Sequence, residues 1–160
     1  MTNQTHQLQK EIKGWLLFFM ISIIGTGITA FSIQWQIESA LEIRKVFPQE
    51  LINWLNRVNA GVKEISTNQP YMLYGTDWMA FAHIVIGIAF IGPYRNPVKN
   101  KWIVEWGIIT CALIIPTALI AGPIRGIPFF HQLIDCMFGI LGVIPLWIVR
   151  NKIIKLESVS

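Results

Sequence analysis

Four stretches of this chain, about residues 14–34, 77–92, 102–121 and 129–149, are apolar and almost free of charge. A helix needs about 20 mostly apolar residues to cross a bilayer. In hydrocarbon every backbone polar group must find its partner within the protein, which restricts spanning elements to helices and closed barrels. Continuous apolar runs of this length fit helices, so the expected fold is all-α. It is an integral membrane four-helix bundle in a single membrane domain covering residues 1–160. The second stretch is short, and Met72–Thr76 is expected to carry it to the surface. Composition agrees, since 14% of the residues are charged against about a quarter in ordinary soluble domains.

Lys10 and Lys13 ahead of an apolar run give the N-terminus the outline of a signal peptide. The run from Trp15 to Ile33 exceeds the roughly 7–15 residues of a signal h-region. It is read as a retained first span.

Orientation follows from Lys and Arg in the short flanks. Lys10 and Lys13 precede the first span, Arg95, Lys99 and Lys101 lie between the second and third, and Arg150, Lys152 and Lys155 follow the fourth. These fall on one side. The other side has Arg44, Lys45, Arg57 and Lys63 spread through a long loop, plus Arg125. Both termini are therefore expected in the cytoplasm, in a multi-pass protein of a cell inner or plasma membrane. The net charge of +4 does not point to nucleic acid, because the basic residues sit at span ends and form no patch interleaved with aromatics.

The outer loop, Trp35–Thr76, contains one further element. Leu51, Leu55, Val58, Val62 and Ile65 recur at helical spacing after Pro48, which suits a first helical turn. An amphipathic helix over about residues 48–65 is expected, capping the outer end of the bundle or lying on the membrane surface. Small residues mark packing faces in the spans: Gly25, Thr29 and Ser32 in the first, and Ala80, His83 and Gly87 in the second. In the fourth they form a stripe of His131, Asp135, Gly139 and Gly142. Gly92-Pro-Tyr-Arg95 and Gly122-Pro-Ile-Arg125 are alike; helix termination is the favoured explanation, with an inverted repeat of transporter type as the alternative. Cys111 and Cys136 show no CxxC or zinc spacing and read as small buried hydrophobes, with a helix-to-helix bridge between them as the alternative.

Function is sought among the scarce ionisable groups, because they are costly in hydrocarbon. Tyr74, Asp77, His83, Arg125, His131 and Asp135 all fall toward the outer side and form the candidate ligand-binding pocket. Asp77 and Glu105 stand in first turns of helices, where the dipole favours a carboxylate. Lys101 and Glu105 are i, i+4 neighbours, so a local ion pair is available to them. Asp135 lies beyond its helix's first turn, so an ion pair with Arg125, supported by His131, is expected. Breaking such a pair, if fully buried, would cost about 3–5 kcal/mol.

Three readings of the pocket follow. His83, His131 and Asp135 offer imidazole and carboxylate ligands for a transition metal, with Asp77 nearby. His83 and His131 offer axial ligands for one haem b. Arg125 on its Gly-rich turn, with Tyr74 and His131, offers a seat for a lipid headgroup or a small anion. The seven tryptophans and nine phenylalanines are accounted for mainly by anchoring at span ends. There is no phosphate-binding loop, dinucleotide fingerprint or nucleophile elbow. The leading expectation is a small membrane protein that binds or scaffolds, in contact with the lipid bilayer and with itself or other membrane proteins. A metal- or haem-dependent redox protein or hydrolase using His83, His131 and Asp135 is the alternative.

Overall fold

The computed structural model describes residues 3–159, and among these there are helices and turns but no strand. The helices are α1 (Asn3–Ala30), α2 (Ile33–Glu42), α3 (Gln49–Asn68), α4 (Tyr74–Ala89), α5 (Ile91–Arg95), α6 (Lys101–Ile124) and α7 (Phe129–Val159). Single 3-10 turns, Arg44–Val46 and Pro70–Leu73, precede α3 and α4. Four segments are long and apolar enough to cross a membrane: Gln4–Ala30, Pro70–Arg95, Lys101–Ile124 and Phe129–Val159. All four expected spans are therefore present as helices, with ends displaced by several residues. The chain forms two compact units: the first comprises the described residues of 1–22 and 87–160, the second residues 23–86, with divisions inside α1 and inside α4.

The displaced ends have local causes. α1 stops at Ala30, short of the expected residue 34. Thr26 and Thr29 donate their hydroxyls to the carbonyls of Ile23 and Thr26, at 2.8 and 3.1 Å. Such bonds offer the backbone an alternative to the helical ladder, and the Ser32 N–H closes a turn onto the Thr29 carbonyl at 3.1 Å. The chain then re-enters a helix, α2, where only a loop was expected. α3 starts after Pro48, whose carbonyl accepts the Ile52 N–H at 3.1 Å, and Pro70 follows its end. It covers the stretch expected to be an amphipathic helix and runs on to Asn68. α4 breaks at Ala89 because Pro93 has no N–H to donate there and its ring crowds that carbonyl; α5 completes the segment as a short separate turn.

In the first unit, α6 and α7 pack as an antiparallel pair. A Cβ at Gly139 would lie 2.6 Å from the Cys111 carbonyl oxygen, and one at Gly142 would lie 2.7 Å from the Cys111 Sγ. At Gly107 it would meet Phe90 and Leu146 at 2.7 and 2.9 Å. Without side chains at these positions the helices approach closely, as small residues permit. The seam on α7 runs Gln132, Cys136, Gly139, Leu146, Val149, Ile153 and Leu156, all buried. The expected stripe shares Gly139 and Gly142 with the α6–α7 contact, but at its start the seam runs one residue on from His131 and Asp135. Ile12, Leu16 and Phe19 of α1 are also buried, and the Phe19 and Phe90 rings lie 4.7 Å apart.

Ion pairs tie the ends of this unit. Lys152 pairs with Glu11, Lys101 with Glu157 at 2.8 Å, and Arg150 with Glu105 at 2.9 Å. The local Lys101–Glu105 pair is thus replaced by two pairs between α6 and α7. Antiparallel packing brings the first turns of α6 beside the last turns of α7, and each charge meets a partner on the other helix.

In the second unit, α2 lies against α3 with Ile37 and Val62 buried, and Lys63 pairs with Glu38 at 3.0 Å. α1 crosses α4 at Gly27, where a Cβ would stand 2.8 Å from the Ala80 carbonyl oxygen and 3.0 Å from the His83 Cβ. Gly25, expected on a packing face, has nothing within 4 Å of a built Cβ; the close approach is two residues away.

Candidate functional site

The six candidate residues fall into two groups. Tyr74, Asp77 and His83 belong to the second unit, and Arg125, His131 and Asp135 to the first.

Arg125 caps the C-terminus of α6. The Ile127 N–H reaches the Gly122 carbonyl at 2.9 Å and the Gly126 N–H reaches the Pro123 carbonyl at 3.1 Å. Gly126 has φ +67°, the left-handed conformation that glycine adopts without a Cβ penalty. This is a Schellman cap. The group that holds its far side is Gln132, 4% exposed, whose Nε2 donates to the Ile127 carbonyl at 2.7 Å. A Cβ at Gly122 would sit 2.6 Å from the Gln132 side chain.

The anticipated Arg125–Asp135 pair is not formed. Arg125 is exposed, and among the described residues no hydrogen bond or ion pair joins it to Asp135. Asp135 has His131 beside it instead, with Nε2 to Oδ1 at 4.0 Å and side chains 37% and 43% exposed. The physical reason is the seam: Gln132 and Cys136 occupy the buried positions, which turns His131 and Asp135 to its flank. A carboxylate so placed has no buried charge to compensate.

His83 is half-buried in α4. Its Nδ1 lies 2.8 Å from the Met79 carbonyl one turn earlier. A carbonyl only accepts, so Nδ1 carries the proton. Among the described residues no group of three or more His, Cys, Asp or Glu is placed to hold a metal ion, so the metal set of His83, His131 and Asp135 is not supported.

Tyr74 and Asp77 are brought together. With Phe31, Trp78 and Phe81 they line an open cavity of about 280 Å³ in the second unit. Tyr74, Trp78 and Phe81 recur at i, i+4 and i+7 of α4, and Asp77 stands at i+3, so one helical face supplies four of the five groups. Phe31 comes from the break after α1. The Tyr74 and Trp78 rings are 6.0 Å apart at 86°, and those of Trp78 and Phe81 are 5.8 Å apart at 88°. The walls of the cavity therefore include mutually perpendicular rings. Asp77 is partly buried, and among the described residues it accepts no hydrogen bond and joins no ion pair. Its place in the first turn of α4 retains the dipole contribution, about 0.3–1 kcal/mol, but no capping bond uses its oxygens.

Trp78, Phe31 and Phe81 were not among the expected site residues. The i, i+4, i+7 aromatic spacing around Asp77 was available in the sequence, though it is equally the pattern of interfacial anchors. Phe31 has no such signal, because only the break at Ala30 brings it to the cavity. In comparison with known proteins, no family model matches this chain, and neither a curated protein nor a solved structure is significantly similar to it.

Proposed function

We propose that this chain is a multi-pass membrane protein that acts by binding, with the Phe31–Tyr74–Asp77–Trp78–Phe81 cavity as its ligand site. Four helices long and apolar enough to cross a membrane support the first part. The observation that carries the second is a partly buried carboxylate without a protein partner, set among aromatic rings in a cavity. Pockets that bind ligands are mostly apolar, and the lining of this open cavity is likewise mostly apolar. The basic flanks at Lys10, Lys13, Arg95, Lys99, Lys101, Arg150, Lys152 and Lys155 favour cytoplasmic termini, with the cavity toward the outer side of a cell inner or plasma membrane. A scaffolding role toward itself or other membrane proteins is compatible with this arrangement.

Co-purification tests the binding site. Wild-type protein, and a variant carrying Tyr74→Ala, Asp77→Ala and Trp78→Ala, are purified from the same membranes, and their extracts are compared by mass spectrometry. A small molecule or lipid enriched with the wild type and lost from the folded variant is expected. Identical extracts would remove the cavity as a binding site. Topology is checked in whole cells with a membrane-impermeant maleimide, which should label Thr67→Cys and spare Lys155→Cys. The reverse pattern would invert the orientation.

A further inference from the structure

We propose that the cavity takes an alkylammonium cation, with its positive head between Asp77 and the ring of Trp78. This rests on the reading of the cavity as the binding site and names its ligand class.

The lining residues are Phe31, Tyr74, Asp77, Trp78 and Phe81. Asp77 is the only ionic group among these mostly apolar lining residues, so any charge held beside them is favoured to be positive. The carboxylate has no lysine or arginine partner among the described residues, although Lys63 in the same unit is paired with Glu38. A partly desolvated carboxylate favours a counter-ion. The rest of the wall is aromatic. A cation within about 6 Å of a ring centroid is attracted by the ring quadrupole, most strongly by tryptophan. Tyr74 and Phe81 are each nearly perpendicular to Trp78, so the three rings do not lie in one plane. The site has few polar atoms beyond Asp77 and the Tyr74 hydroxyl, so it suits a cation that asks for few hydrogen bonds. Alkylated ammonium has this property, and its methyl or methylene groups add apolar contact with the rings. Tyr74 and Trp78 are 62% and 56% exposed, which leaves the site open to a ligand.

Such a cation has two sources, an ammonium-bearing lipid headgroup or a small free ammonium solute. Both share the recognition chemistry, and chain length separates them.

The test uses the full-length protein in nanodiscs of phosphatidylglycerol, titrated calorimetrically with dodecyltrimethylammonium, tetramethylammonium and the uncharged dodecyl maltoside. Saturable binding of a trimethylammonium compound is expected, with none for the maltoside. Binding of dodecyltrimethylammonium alone identifies a lipid-like ligand, and equal binding of tetramethylammonium identifies a free solute. Asp77→Asn should weaken binding by roughly tenfold or more, as for loss of a charged hydrogen-bonding or ion partner. Trp78→Leu should weaken it by roughly three- to thirtyfold, and Trp78→Phe by less. Thermal melts of each variant show that it is folded, and Trp78→Phe keeps the test available if Asp77→Asn is not. Saturable binding that Asp77→Asn and Trp78→Leu leave unchanged would overturn the proposal. So would equal binding of the maltoside and the ammonium compounds. Loss of co-purified material in the triple variant without ammonium binding would overturn the ligand class and leave the binding site standing. Failure of both experiments would remove both.

Discussion

Two helical pairs in this molecule are held together by different means. α6 and α7 meet along glycines, with Gly107, Gly139 and Gly142 each unable to accept a Cβ without displacing a neighbour. Charges at the α6 start and α7 end are matched across the pair, Lys101 to Glu157 and Glu105 to Arg150. The turn between the helices is closed by a Schellman cap and by buried Gln132. α2 and α3 pack through larger side chains, Ile37 and Val62, with one exposed ion pair, Lys63–Glu38. The polar groups of the first pair are largely consumed by structure. In the unit that holds the second pair, the Asp77 carboxylate has no partner among the described residues. The difference separates architecture from function: scarce ionisable groups mark a candidate, and an unspent one in a cavity marks it more sharply.

The largest effect is expected where the α6–α7 seam is tightest. Gly139→Ala places a Cβ against the Cys111 carbonyl oxygen, a backbone atom that cannot rotate away. Overpacking of this kind costs about 1–3 kcal/mol. Gly25→Ala has open space and should stabilise by up to about 1 kcal/mol through helix propensity. Thermal melts in one detergent compare them. Equal behaviour of the two variants would mean that close approach is not what holds α6 to α7.

Gln132→Leu comes next. The substitution keeps apolar bulk but leaves the Ile127 carbonyl without its 2.7 Å donor, and an unsatisfied buried acceptor costs about 1–3 kcal/mol. Loss should appear as a lower melting temperature and as faster hydrogen exchange at Gly126 and Ile127, whose N–H groups close the cap. A melt unchanged from wild type would show that the cap stands without Gln132.

Arg125→Ala is expected to change stability by no more than about 0.5 kcal/mol, as for a surface position without a structural bond. A paired, buried Arg125 would have cost several times that. A large destabilisation would restore the Arg125–Asp135 pair and move weight back toward the first unit.

These cases show what the sequence made legible. Length and apolarity identified four helical segments long enough to cross a membrane and a helix near residues 48–65, because those signals are additive over many residues. Single-residue geometry was less accessible. A helix face is about 100° per residue, so a seam at Gln132 and Cys136 differs from one at His131 and Asp135 by a single step. Ion-pair choice depended on the antiparallel register of α6 and α7, which turned Glu105 from Lys101 to Arg150. α2 escaped notice since Ile33, Ile37, Ala40 and Leu41 make only a short periodic run beside a span. Of the site, Tyr74 and Asp77 were legible as polar groups near a span end. Trp78 and Phe81 were legible only as anchors, and Phe31 depended on a helix break.

The smallest effect concerns the ion pair of the second unit. The Lys63 ammonium, with help from Gln34, holds the Glu38 carboxyl below the ordinary carboxylate range. A carboxylate depressed in the folded state contributes stability above its unfolded pKa, and that contribution is lost as pH falls through the folded value. The α2–α3 contact should therefore be insensitive to pH near neutrality and weaken in the acid range, below the usual glutamate pKa. Both side chains are about half exposed, at 42% for Glu38 and 53% for Lys63, so salt should screen the pair and reduce the effect. Hydrogen exchange of α2 and α3 amides, followed from neutral to acid pH, reads it locally. Wild type should lose protection on acidification more than Glu38→Gln does, and added salt should shrink that difference. If Glu38→Gln shows the same acid profile as wild type, the pair contributes nothing. Ile37 and Val62 would then hold α2 to α3 by packing alone, and the contrast with the charge-matched α6–α7 pair would be complete.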